Sequence, residues 1–276
     1  MNPGTCATPG TWEKGIRSPE WHRHPELKKN RMEYRQLDRT EFEDIASRIL
    51  YEDNHIIILN KRVGEIVQGD KTGDEALSET LKAFIAVRDS KPGRVFVGVP
   101  HRLDRPVSGV SVFAKTSKAL ERLNAMFRNG EVRKTYWALC CNEPKPGTVP
   151  EEDGRVLLEN WLYRNEKQNK SYIEKEGQKD VKLARLKYRV IGHSDRYHLL
   201  EVELLTGRHH QIRCQLAGIG CCIKGDLKYG APRSNPNGGI CLMARSIRFD
   251  HPVRHEEIFV EAPVPEDWPP VNPIQG

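Results

Sequence analysis

The sequence contains no long apolar run and no cysteine pattern typical of a metal-binding domain. None of its hydrophobic stretches approaches the roughly 18 apolar residues that a membrane-spanning helix needs. Its first residues, MNPGTCA, lack the charged start and apolar core of an export signal. The chain has 7 cysteines but no Cys-x-x-Cys, so the pattern predicts neither a zinc cluster nor an even disulfide framework. These absences favour a reducing, cytoplasmic compartment and no membrane.

No residue class dominates the composition. The 276 residues are 37% hydrophobic and 30% charged, which is typical of a globular protein with one large domain or two small ones. The formal net charge of +6 favours a polyanionic partner, although an excess of this size does not require one. Composition alone therefore only hints at nucleic-acid binding.

Residues 1–36 differ from the rest of the chain. Four prolines, several glycines and scattered charges stand here without an apolar periodicity that a core could use. This pattern predicts a mobile N-terminal extension, which is net basic and could contact a phosphate backbone. We predict that residues 37–276 form one ordered domain.

Capping signals and apolar spacing predict the first elements of this domain. Asp38-x-x-Glu41 and Thr72-x-x-Glu75 have the spacing of helix-capping boxes, and apolar residues at helical spacing follow each of them. The apolar run over residues 55–61 lies between them and predicts a buried strand.

Further elements continue this alternation. Strands are predicted over residues 95–99, 110–114, 132–139 and 197–205. Thr116 or Ser117 is predicted to cap a helix that ends at Asn129-Gly130.

The polar loop that follows residues 95–99 carries a single carboxylate between two cations. Arg102 and Arg105 flank Asp104, and nearby cations favour the ionised form of an acid. Strands on both sides would clamp the loop, so the pattern predicts a carboxylate held ready as a nucleophile. From spacing alone, an ordinary surface ion pair is an equally good interpretation.

A second motif, Thr-Gly-Arg-His-His-Gln-Ile-Arg, spans residues 206–213 and is predicted to open a helix. Free backbone N–H groups at a helix start can bind an anion, and Arg208, His210 and Arg213 add donors to such a site. The tandem His209-His210 could instead indicate general acid-base chemistry, but no second acid or nucleophile is spaced with it.

Two further segments fit contacts with RNA. In the strand over residues 132–139, Tyr136 lies on the same face as Lys134, where it either contacts a ligand or packs as an ordinary strand aromatic. Residues 161–190 hold nine Lys or Arg against four Asp or Glu, with Tyr163 and Tyr172 among the charges. Such a mixture suits stacked bases and phosphates, and a solvated charged hairpin fits it equally well.

The sequence lacks the residue spacing that a metal site or a serine-hydrolase site requires. His251-x-x-x-His255 is the nearest approach to a metal site, and Pro252 interrupts any helix that would align the two rings. Ser108 and Ser111 lack the glycines of a Gly-x-Ser-x-Gly elbow. We therefore expect no metal and no cofactor.

The motifs together carry a family resemblance. Residues 101–115, 134–138, 206–213 and 225–230 resemble the signature segments of the RluA-type pseudouridine synthases, and the likeness runs from about residue 53 to 268. The chain departs from the family pattern at four places. Lys61-Arg-Val-Gly64 lacks the family's proline, and the residues Val107, Cys214-Gln215 and Met243 differ from those usual in the family. These differences put the choice of substrate in doubt more than the chemistry.

The resemblance implies a fold and a set of roles. The expected fold is α+β, a bent, mainly antiparallel mixed sheet flanked by short helices. The family's catalytic Asp corresponds to Asp104, its uracil-contacting Tyr to Tyr136, and the Arg that pairs with the Asp to Arg213. Arg102 is our candidate to fill the space left by a flipped-out base.

These observations predict an RNA pseudouridine synthase. We expect it to act without a cofactor, as a monomer, on a uridine in a stem-loop of rRNA or tRNA, with Arg208 and His210 as further substrate contacts. A non-catalytic RNA-binding or RNA-chaperone protein of the same fold is the alternative. Asp104 argues against that alternative, because a carboxylate in an RNA groove repels phosphates.

Overall fold

The computed structural model describes residues 34–70, 73–91, 93–145, 150–151 and 153–274. The predicted N-terminal extension lies outside the described residues except for its last three positions. There, the Tyr34 hydroxyl accepts a hydrogen bond from the backbone N–H of Val95 at 2.6 Å.

The helices in the described part of the chain are short. They are α1 (Arg39–Ser47), α2 (Leu77–Arg88), α3 (Ser117–Asn129), α4 (Gln211–Gly218) and one 3₁₀ turn (Leu227–Tyr229).

The strands form one mixed sheet. They are β1 (Ile49–Glu52), β2 (Ile56–Lys61), β3 (Ser108–Ala114), β4 (Arg133–Cys140), β5 (Val156–Asn165), β6 (Lys170–Glu174), β7 (Val181–His193), β8 (His198–Leu204), β9 (Leu242–Asp250), β10 (Glu257–Glu261) and β11 (Asn272–Pro273). The order is β1-β2-β3-β9-β4-β8-β7-β5-β6, with β10 on β9 and β11 on β7. Only β3 and β9 run parallel among the described pairs, so the predicted α+β class is confirmed.

The largest buried cluster lies where the helices cover β2 and β3. Phe113 of β3, Phe84 of α2 and Leu123 of α3 are each 0% exposed and belong to this cluster. Burial of such side chains contributes about 1.5–3 kcal/mol each. The loop that leads into β3 therefore rests on a rigid base.

Two predicted helix starts are confirmed. The Asp38 carboxylate accepts a hydrogen bond from the backbone N–H of Glu41 at 2.8 Å, and the Glu41 side chain reciprocates at 3.1 Å, which completes the capping box of α1. Thr116 caps α3, whose end at Gly130 is left-handed as the sequence predicted.

The predicted start of α2 is wrong. The helix begins at Leu77, and its N-cap is Ala76, which has no capping side chain. The backbone N–H of Leu77 donates to the carbonyl of Ile66 at 2.8 Å. The start of the helix is therefore set by a contact with a distant segment and not by a local capping residue. Thr72 itself lies outside the described residues.

The strand predicted over residues 95–99 is also wrong. Gly98 makes an isolated bridge to Ala114, and no ladder extends from it. Gly98 bonds to Ala114 on the edge of β3 opposite β2, where β9 pairs only with Ser108 and Gly109. Val95 and Val97 are buried without a ladder, whereas Phe96 is exposed.

Gly109 allows β3 to pack closely against β9. Its φ is +109°, and a Cβ at this position would lie 2.2 Å from the carbonyl oxygen of Ala244. Ala244 pairs with Gly109 on one side and with Tyr136 of β4 on the other. The start of β3 and the middle of β4 are therefore held two strand spacings apart, about 10 Å.

Candidate active site

Asp104 lies in the loop before β3, and its side chain is 33% exposed. The loop is organised by Lys61 at the end of β2, which is fully buried. The Lys61 ammonium donates to the backbone carbonyls of Val107, Arg105 and Asp104 at 2.6, 3.2 and 3.3 Å. Burial lowers the pKa of Lys61 to about 8. Three carbonyls gathered on one ammonium give the loop a single shape.

Arg213 projects from α4 toward this carboxylate. Its Nη1 atom lies 3.4 Å from Oδ2 of Asp104. Its Nε and Nη2 atoms each lie 2.7 Å from a carboxylate oxygen of Asp226, which is 1% exposed. Burial opposes the charge on Arg213, but the hydrogen bonds and charge of Asp226 outweigh it and raise the Arg213 pKa. The predicted proximity of Arg213 and Asp104 is thus present, and Asp226 is the tighter partner.

His210 is the second group close to Asp104. Its Nε2 atom lies 3.6 Å from Oδ2 of Asp104, and its Nδ1 atom lies 3.1 Å from the hydroxyl of Tyr229. Burial, followed by the charge of Arg213, lowers the pKa of His210 to about 2, so the ring is neutral near pH 7. Its backbone is left-handed, with φ of +50°, a conformation that costs a non-glycine residue about 1–3 kcal/mol.

Tyr136 comes to the same region from β4 and is 7% exposed. Burial raises the pKa of its phenol, and the negative charge of Asp104 raises it further. The hydroxyl is therefore protonated near pH 7.

Three predicted site residues are not brought to Asp104. Arg105 pairs with Asp74 and also donates to the carbonyl of Gly64 at 3.0 Å, so it does not pair with Asp104 as its sequence position suggested. Arg102 is exposed, and no hydrogen bond or ion pair joins it to Asp104 in the described part of the chain. Arg208 is exposed and donates to the carbonyl of Leu183 at 2.9 Å. The expected flanking pair of cations is replaced by Arg213 and the buried Lys61.

Sequence reasoning missed three buried residues of the site. Lys61, Asp226 and Tyr229 contact the groups around Asp104, but none of them was assigned a role. The turn Gly-Asp-Leu-Lys-Tyr-Gly over residues 225–230 was a signal, because its similarity to a family motif was visible. Its carboxylate and phenol could have been weighed as partners for Arg213 and His210.

Three basic side chains lie near His209, His210 and Tyr229. Arg164, at the end of β5, and Lys228, in the 3₁₀ turn, act electrostatically on His209 and His210. Lys170 of β6 lies over the Tyr229 ring, with its Nζ atom 5.0 Å from the ring centroid. We call Arg164, Lys170 and Lys228 the basic rim.

The alternative chemistries find no support among the described residues. They include no group of three or more His, Cys, Asp or Glu arranged to hold a metal ion. The hydroxyls of Ser108 and Ser111 are buried without a hydrogen-bond partner, so neither has a base that could activate it.

No helix in the described ranges is both long and apolar enough to cross a membrane.

Comparison with known proteins is consistent across the chain. Residues 55–218 match a family described as RNA pseudouridylate synthase. An uncharacterized RNA pseudouridine synthase of Synechocystis is 34% identical over 228 residues, which cover 81% of this chain and 67% of that protein. A ribosomal large subunit pseudouridine synthase D of Xanthomonas campestris is 30% identical over 82% of this chain and 68% of its own.

Solved structures agree in fold. The human RNA pseudouridylate synthase domain containing 4 has a TM-score of 0.67 at 22% identity, over 82% of this chain and 92% of that one. The human RNA pseudouridylate synthase domain containing 1 has a TM-score of 0.58 at 23% identity, over 78% of this chain and 82% of that one.

Proposed function

Because the chain belongs to the RluA-type RNA pseudouridine synthases, we propose that Asp104 is the nucleophile with which it isomerises uridine to pseudouridine in a structured RNA. Family membership makes the protein an RNA pseudouridine synthase and sets aside the non-catalytic alternative. The observation that carries the assignment of Asp104 is its position, half-exposed at the end of a clamped loop, with Arg213 and His210 directed at one of its oxygens.

The reaction requires an accessible uridine. A base inside a stacked helix cannot reach the Asp104 carboxylate, so the target nucleotide is flipped out of the RNA and into the site. Asp104 then attacks the base or the anomeric carbon of the sugar, and the bond between the anomeric carbon and the ring nitrogen breaks. The uracil turns and rejoins the anomeric carbon through a ring carbon, which loses its proton, while the bond to Asp104 breaks and the carboxylate is restored. Arg102 is exposed beside the loop, which suits a side chain that fills the vacated position in the RNA.

Tyr136 and Arg213 serve the reacting groups in different ways. The Tyr136 ring packs on the uracil, and its hydroxyl takes part in removing a proton from the base. Burial, followed by the charge of Asp104, raises the pKa of this phenol, so the hydroxyl takes a proton from the base only as it passes its own proton on. Arg213 orients the attacking carboxylate.

The substrate we propose is a stem-loop of rRNA or tRNA, held at the basic rim, with Arg208 as a further phosphate contact. The names of relatives such as the ribosomal large subunit pseudouridine synthase D support rRNA. We also propose that the enzyme acts as a monomer and without a cofactor. A cytoplasmic location is part of the same proposal, and the six free cysteines in the described residues agree with a reducing compartment.

Mapping pseudouridine in RNA tests this proposal. RNA from cells with and without the protein is compared at nucleotide resolution, and the purified protein is then given the candidate stem-loop. We expect one or a few uridines in rRNA or tRNA to lose modification in the deletion strain and to regain it in vitro. An unchanged map in both RNA classes would contradict the proposed substrate.

A further inference from the structure

The turn over residues 225–230 holds two side chains that reach the partners of Asp104. Asp226 contacts Arg213, and Tyr229 contacts His210; both residues are buried, at 1% and 7% exposure. Neither touches Asp104 directly. Their effect on the carboxylate must therefore pass through Arg213 and His210.

Asp226 fixes the direction of the Arg213 guanidinium. Two bonds of 2.7 Å hold the Nε and Nη2 edge of the planar group. Because the guanidinium is rigid, holding one edge determines where Nη1 points, and Nη1 lies 3.4 Å from Asp104.

The two hydrogen bonds to Asp226 also weaken the ion pair between Arg213 and Asp104. Asp226 already balances the charge of Arg213, and Asp104 is held at a longer distance than Asp226. A carboxylate bound tightly by an uncompensated cation would be a weaker nucleophile, because its electron pairs would be engaged. Asp226 thus leaves Asp104 oriented but available.

Tyr229 sets the protonation pattern of the neutral His210 ring. The Tyr229 hydroxyl accepts a hydrogen bond from the backbone N–H of Ser171 at 2.8 Å. Its single proton has two acceptors within reach, Nδ1 of His210 at 3.1 Å and the carbonyl of Ser171 at 3.2 Å. If the hydroxyl donates to Nδ1, the ring proton stays on Nε2 and points at the Asp104 carboxylate. The opposite tautomer would set a lone pair against that carboxylate, which is unfavourable.

The turn itself is rigid. The backbone carbonyl of Asp226 accepts hydrogen bonds from the N–H groups of Tyr229 and Ala231, both at 3.0 Å. Gly225 has φ of +88°, and a Cβ there would lie 2.6 Å from the Asn235 side chain. The two side chains are therefore held in one arrangement relative to α4.

We propose that Asp226 and Tyr229 are positioning residues for the isomerisation: Asp226 aims Arg213, and Tyr229 holds His210 as an Nε2–H donor, so that both donors converge on one oxygen of Asp104. This inference rests on the proposed role of Asp104 as the nucleophile.

The first test is a double-mutant cycle on the rate of pseudouridine formation in a single turnover. Asp226→Asn should slow the step about 10–100-fold, the range for residues that support a reacting group, while RNA affinity stays within about twofold. Arg213→Lys removes the planar guanidinium that Asp226 orients. The double variant should therefore have a single-turnover rate less than about threefold below that of Arg213→Lys alone. Multiplicative effects in the double variant would overturn the proposal, because Asp226 would then act independently of Arg213.

A matched control separates positioning from stability. Asp53 is a carboxylate of low exposure, 13% for its side chain, at the opposite end of β2 from Lys61. It accepts hydrogen bonds from the backbone N–H groups of His55 and Ile56 at 2.7 and 2.8 Å. Asp53→Asn should lower the melting temperature and leave the single-turnover rate of the folded protein unchanged. An equal loss of rate in both Asn variants would show that Asp226 is only structural.

The second test needs no turnover. Nitrogen chemical shifts of His210 in the free protein should show the neutral ring protonated at Nε2, and Tyr229→Phe should raise the fraction protonated at Nδ1. If the ring of His210 is protonated at Nδ1 in the parent protein, the proposed role of Tyr229 is wrong. If Asp104→Asn is inactive and Asp226→Asn is fully active, the positioning role of Asp226 is refuted and the nucleophile is not. If Asp104→Asn is active, the nucleophile assignment is refuted, and the nitrogen chemical shifts of His210 remain as the test of the geometry.

Discussion

At the scale of single residues, Asp104 lies in an environment of fixed donors and compensated charge. Arg213 and His210 approach the same oxygen, Asp226 balances Arg213, and Lys61 binds the backbone of the loop. Fixed dipoles of this kind need no reorganisation during the reaction. The side chain of Asp104 is therefore positioned by contacts that all come from other segments of the chain.

Two substitutions separate the ring of Tyr136 from its hydroxyl. Tyr136→Phe keeps the stacking surface, so we expect RNA affinity within about twofold of the parent and a single-turnover rate at least about tenfold lower, because proton transfer by a placed side chain contributes about 10²–10⁴-fold. Tyr136→Leu should weaken binding as well. An unchanged rate in the Phe variant would show that only the ring is used.

His101 should make the fold sensitive to acid. Its Nε2 atom accepts a hydrogen bond from the backbone N–H of Val112 at 3.0 Å, and burial, followed by Lys134, lowers its pKa to about 3. The unfolded chain binds this proton below about pH 6.5 and the folded protein does not, so the free energy of unfolding falls as pH drops from 6.5 to 3.

His101→Gln removes this titration. We expect the slope of the unfolding free energy between pH 6.5 and pH 4 to decrease by up to about 1.4 kcal/mol per pH unit, measured by urea denaturation at constant ionic strength. Parallel pH profiles for the variant and the parent would show that His101 does not remain neutral in the fold.

At the scale of elements, the junction of β3 with β9 aligns the loop of Asp104 with Tyr136. Gly109→Ala puts a Cβ against Ala244 and should cost about 3 kcal/mol or more. Gly130→Ala is the matched control, because Gly130 is also left-handed at φ of +76° but faces open space, and it should cost about 1 kcal/mol. Equal losses in urea denaturation would mean that the close approach is not required.

Elements with local signals were predictable from the sequence, and those set by distant contacts were not. The cap at Asp38 and the left-handed end at Gly130 depend on residues within one turn, and both are found. The start of α2 depends on Ile66, and the segment near Gly98 makes a single bridge to Ala114, a contact that no pattern within residues 95–99 indicates.

The site follows the same rule. Asp104, Tyr136 and Arg213 lie in contiguous motifs, so sequence could single them out. Arg105 was assigned to Asp104 because they are adjacent, yet it pairs with Asp74. The contact between Arg213 and Asp226 joins α4 to a separate turn, and no spacing rule predicts it.

At the scale of the whole molecule, we expect the RNA to bind at the basic rim. We expect RNA affinity to fall about tenfold or more between 50 and 200 mM salt. Arg164→Gln should lower the slope of log affinity against log salt by about 0.7–0.9. Lys118→Gln is the control, since this exposed residue lies beyond the far end of β3 from Asp104; equal effects of the two variants would exclude a rim-specific groove.

The most direct test of the account is pseudouridine formation by Asp104→Asn in a single turnover, on an RNA that the parent modifies. The substitution keeps the shape of the side chain and removes its charge, so folding and RNA affinity should stay within about 1 kcal/mol of the parent. We expect no detectable pseudouridine. Formation at a rate near that of the parent would mean that Asp104 is structural and that the chemistry belongs to another group.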